Sequence, residues 1–131
     1  DYIDRASAYA AAGDIAAAVS GLDTAITRLG SVPALVELAN KLDVERHQYD
    51  AALRRLDRLP PNLARTEGWL LQRAAILESA GRLAEARIAF GATITAASAR
   101  PPQRRDQPAI RAAVEEANAG LRRLDDVKGS R

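Results

Sequence analysis

One pattern runs three times through the first hundred positions, with a period of about 34 residues, and limits the possible folds more than any other property of the chain. The segments Ala12 to Ala18, Arg46 to Ala52 and Ala80 to Ala86 recur at one constant interval. In each, a turn residue (Gly13, His47, Gly81) is followed two positions later by an apolar side chain (Ile15, Tyr49, Leu83) and three further on by alanine (Ala18, Ala52, Ala86). Four residues beyond each alanine stands a large apolar residue, Leu22, Leu56 and then Phe90. Repetition at such a period marks supersecondary units that cannot bury an apolar face alone and stack to make a continuous core.

The units read as helix pairs. Alanine makes up about a fifth of the sequence while aromatic residues are only 4%, a balance that favours closely crossing helices over strands. First helices are expected over about 2–12, 33–45 and 67–80, and second helices over about 14–29, 48–58 and 82–99. Ala18, Ala52 and Ala86 become the points of close helix approach. Gly13 and Gly81 end the first helices of their pairs, since glycine takes positive φ without steric cost. Ser31 and Thr66 read as N-caps, and Pro60-Pro61 and Pro101-Pro102 stop the helices before them. A last helix over about 106–126, capped by Asp106, carries one apolar stripe: Ile110, Ala113, Val114, Ala117, Leu121 and Leu124. Its other face bears Arg111, Glu115, Glu116, Arg122 and Arg123, and residues 127–131 form a frayed tail.

The runs "AGRLAEARIAF" from Ala80 to Phe90 and "AGDIAAAVSGL" from Ala12 to Leu22 resemble the inter-helix turn and second helix of the tetratricopeptide family, which has the same period. The resemblance covers about residues 1–100. It implies an all-α, right-handed superhelical solenoid of antiparallel helix pairs, about seven helices in one domain over 1–126. The repeats fall at about 1–32, 33–65 and 66–100, with the last helix closing the stack.

The middle copy departs from the pattern. The family alternates large, small and large apolar residues along the first helix, as in Tyr2, Ala6, Tyr9 and in Leu70, Ala74, Leu77. The corresponding middle positions are Val36, Asn40 and Asp43, and burying two unpaired polar groups costs about 1–3 kcal/mol each. The apolar stripe there reads instead as Leu35, Leu38, Ala39 and Leu42, displaced by one residue. Either this helix is rotated by ~100° or its turn, with His47 in the glycine position, holds an additional residue.

The resemblance implies that ligands lie in a concave groove lined by first helices. The candidate groove residues are Ile3, Ser7, Ala10 and Ala11 from the first copy, Glu37, Lys41, Val44 and Glu45 from the second, and Leu71, Ala75 and Glu78 from the third. If the middle helix is slipped, Val36, Asn40 and Asp43 replace some of these. The lining is a modest apolar floor with acidic edges. It lacks the Lys, Asn and Arg cluster with which some members of the family clamp a peptide carboxylate, since only Lys41 offers a cation.

The remaining candidates reduce to structure. His47, the single histidine, has no metal-ligand spacing and reads as a turn residue. Glu115-Glu116 and Asp125-Asp126 are sequence neighbours that diverge by ~100° on a helix, which disfavours joint acid-base work. Trp69 reads as a packing residue. Arg100, Arg104 and Arg105 lack the interleaved aromatics of a nucleic-acid surface and read as a solvated linker.

The absence of cysteine removes disulfides and thiolate chemistry. A net charge of +2 is no nucleic-acid signature, and no run approaches the ~20 apolar residues of a membrane helix. The chain begins at Asp1 and has no methionine, which reads as a piece of a longer protein. Compartment stays open, export included. The expected function is a protein-protein interaction module that holds a peptide or partner protein, with no cofactor, no metal, no catalysis, no nucleic acid and no membrane insertion. The alternative is a spacer or self-assembly segment that associates with its own copies through one end.

Overall fold

The computed structural model describes residues 1–129, with side chains through Val127. Among these the chain is all-helical, with nine helices and no strand. They group into two compact units, one over Asp1–Pro60 and one beginning at Pro61.

In unit 1, α1 (Tyr2–Ala11) and α2 (Ile15–Leu29) form one hairpin, and α3 (Pro33–Glu45) and α4 (Tyr49–Asp57) a second. Asp1 caps α1 through the Ile3 and Asp4 amides, and Asp14 caps α2 through the Ala17 amide. The two hairpins share a core in which Ala6 of α1 and Ala18, Val19, Leu22 and Ala25 of α2 pack with Leu35, Ala39 and Leu42 of α3. Ala18, Ala25 and Ala39 have no exposed surface, so helix axes approach on small side chains.

Unit 2 holds α5 (Pro61–Ala64), α6 (Glu67–Ser79), α7 (Leu83–Ser98), α8 (Pro102–Arg105) and α9 (Pro108–Gly129). α6 and α7 make the third hairpin, and α9 packs on both. Ala113, Ala117 and Leu124 are its buried residues, together with Gly120. Ile110, Val114 and Leu121 are half-buried, while the charged face expected from the sequence is exposed. Trp69 is buried.

Helix count and caps differ from expectation at the proline pairs. Nine helices replace about seven because Pro61 and Pro102 each begin a one-turn helix. The proline ring locks φ close to its helical value and so preorganises a first turn, where the missing N–H has no helical partner anyway. Ser31 is not the cap of α3. Val32 occupies that place, Pro33 follows it, and the Ser31 hydroxyl donates to the Arg58 carbonyl at 3.4 Å. Thr66 does precede α6, but its hydroxyl donates back to the Leu63 carbonyl at 2.7 Å. Asp106 ends α8, and α9 opens at Pro108 with the Gln107 carbonyl accepting from the Ile110 and Arg111 amides. α9 continues past the expected end at Asp126 to Gly129, and residues 130 and 131 of the expected tail lie outside the described residues. No helix among the described residues is long and apolar enough to cross a membrane.

The sequence repeat reappears as backbone geometry. Gly13, His47 and Gly81 have φ of 86°, 61° and 76°. In each turn that residue's amide donates to the carbonyl three back, and the next amide to the carbonyl five back: Asp14 to Tyr9 at 2.8 Å, Gln48 to Asp43 at 2.7 Å, Arg82 to Leu77 at 2.9 Å. These are three Schellman caps. The middle turn therefore holds no additional residue. Nor is α3 simply rotated, because both of its candidate stripes are covered: Leu35, Ala39 and Leu42, and also Val36, Asn40 and Asp43. The two polar residues are buried because they have partners on other parts of unit 1.

Candidate functional site

Burial of Asn40 and Asp43 is made possible by one long side chain. Arg55 of α4 is only 7% exposed, and its guanidinium binds both neighbouring helices. Nη1 donates to Asp43 Oδ2 at 2.6 Å and to Asn40 Oδ1 at 3.2 Å on α3. Nε and Nη2 donate to the two oxygens of Asp23 on α2 at 2.7 and 2.8 Å. Arg46 closes the other Asp43 oxygen at 2.6 Å. The bidentate fork of arginine suits this geometry as lysine would not. Burial works against the charged guanidinium, yet hydrogen bonds and charge from Asp23 and Asp43 outweigh it and hold its pKa above the ordinary value. Asn40 Nδ2 is the buried polar side-chain atom left without a partner among the described residues.

A sequence signal for this cluster exists. At the matching positions of the first and third copies, Arg55 aligns with Gly21 and Ala89, Asp43 with Tyr9 and Leu77, and Asn40 with Ala6 and Ala74. The middle copy has thus exchanged a large first-helix residue facing a small second-helix one for a short acid facing a long base. The two changes compensate in volume and in charge, and each is conspicuous only beside the other.

The candidate groove residues occupy one stripe on each first helix. In unit 1, Ile3 and Ala10 are half-buried against the core while Ser7 and Ala11 are exposed on α1. On α3, Glu37, Lys41 and Glu45 are exposed and Val44 is half-buried. In unit 2, Leu71 is half-buried and Ala75 exposed on α6. Glu78 is not a free acid, because Arg123 of α9 grips both its oxygens at 2.8 and 3.0 Å. Arg100 is likewise engaged, with its Nε and Nη2 on the Glu67 carboxylate at 2.6 and 2.8 Å. Hydrogen bonding from Arg100 holds the Glu67 carboxyl below the usual glutamate range against the opposing effect of burial. Arg104 and Arg105 stay exposed.

His47 Nδ1 lies 3.0 Å from the Tyr49 hydroxyl, with the two rings edge to face. No group of three metal-ligating side chains converges among the described residues. Each unit carries surface concavities. One of about 470 Å³ beside Asp23, Thr27 and Arg46 and one of about 270 Å³ between α1 and α2 belong to unit 1. One of about 340 Å³ beside Arg105, Ile110 and Val114 belongs to unit 2.

No protein-family model matches this chain, and no curated protein and no solved structure matches it either.

Proposed function

We propose that this chain is a protein-protein interaction module of tetratricopeptide type, which holds a peptide or partner protein in the groove or at the ends of its helical stack. The observation that carries this reading is the recurrence of one turn. Residues 13, 47 and 81 all take positive φ, and the cap residues after them share nearly one conformation, φ and ψ of −100° and 71°, −93° and 63°, −87° and 69°. Local geometry repeated at a fixed interval is what a stack of equivalent hairpins requires, and such stacks offer extended surface rather than a closed pocket. Within unit 1 the exposed first-helix residues Ser7, Glu37, Lys41 and Glu45 supply surface of mixed polarity.

The test is affinity capture with the chain as bait, followed by titration of the recovered partner against Glu37→Lys and Glu45→Lys variants. Specific capture that weakens with either charge reversal supports a groove site. Capture indistinguishable from that by an unrelated helical protein overturns the reading.

A further inference from the structure

We draw no further inference here: the strongest candidate, the uncharged surface patch of Ala84, Ile88, Ala92 and Thr95 along α7, where Ile88 is 73% exposed, is an unpartnered helix face, and nothing in the structure shows what covers it.

Discussion

The Arg55 guanidinium meets the fully enclosed Asp43 carboxylate at 2.6 Å, and the same guanidinium reaches Asp23 on α2. A pair of this kind is costly to break because the survivor stays buried and charged, yet replacing the whole pair with apolar groups is often neutral or stabilising. The repeat supplies the replacement, since the third copy has Ala74, Leu77 and Ala89 at the matching positions.

Arg55→Ala should therefore destabilise unit 1 by about 3 kcal/mol, the lower end of the range for broken buried pairs, because Arg46 still partners Asp43. The triple variant Asn40→Ala, Asp43→Leu, Arg55→Ala removes the orphaned Asn40 amide along with both charges. It should lie within about 1 kcal/mol of wild type or above it. Urea titrations followed by circular dichroism measure both. A triple variant less stable than Arg55→Ala alone would show that the network has no apolar equivalent.

The difference between what is legible in the sequence and what is not follows from this cluster. The helices of the three hairpins fall within a residue or two of their sequence-read bounds, because Asp14, Gly13, Gly81 and Pro33 act through local backbone chemistry. Asn40 and Asp43 look misplaced in the sequence because their partner is 15 and 12 residues away on another helix, which no local pattern reveals. The same holds for the candidate surface. Stripes such as Glu37, Lys41 and Glu45 are visible as helix faces, but the capture of Glu78 by Arg123, 45 residues on, is a tertiary event. Tyr2, Ala6 and Tyr9 read as one core stripe in sequence, and in the structure Ala6 is buried and Tyr2 packs half-buried against the core while Tyr9 is 45% exposed.

His47 holds a φ of 61° where the two sister turns have glycine. The left-handed region costs a residue with a Cβ about 1–2 kcal/mol, partly offset here by the lower chain entropy of histidine in the unfolded state and by the Tyr49 hydrogen bond. His47→Gly should leave the Schellman bonds intact and change stability by less than about 1 kcal/mol, in the stabilising direction. His47→Val, β-branched and unable to bond the turn, should destabilise by more than about 1 kcal/mol. Thermal melts of the two variants in one buffer give the comparison, and equal melting temperatures would show that the turn does not depend on its conformer.

Gly120 of α9 lies under the ring of Phe90, one of the largest fully buried side chains. A Cβ at this position would overlap the ring's Cζ and lie 2.6 Å from Cε1 and Cε2. Gly120→Ala usually favours a helix by about 1 kcal/mol, but here the clash should dominate and destabilise unit 2 by about 1–3 kcal/mol. Combining it with Phe90→Leu should restore part of that loss, which makes a double-mutant cycle the decisive measurement. Additive effects would mean that the two residues do not share the contact.

The Glu67 and Arg100 pair sets an acid limit on unit 2. Hydrogen bonding by Arg100 lowers the folded-state pKa of Glu67, so the unfolded chain takes up a proton at a pH where the folded chain does not. Its contribution is fully present above the unfolded glutamate value of about 4.3 and is lost as pH falls through the lower folded value. Glu67→Gln abolishes this titration while keeping the shape of the side chain. The melting temperatures of wild type and Glu67→Gln should therefore differ most near pH 7, with wild type higher, and converge as the pH drops below about 4. A gap that stays constant from pH 7 to acid would mean that the carboxylate's charge, as distinct from its packing, does not hold the start of α6 to the end of α7.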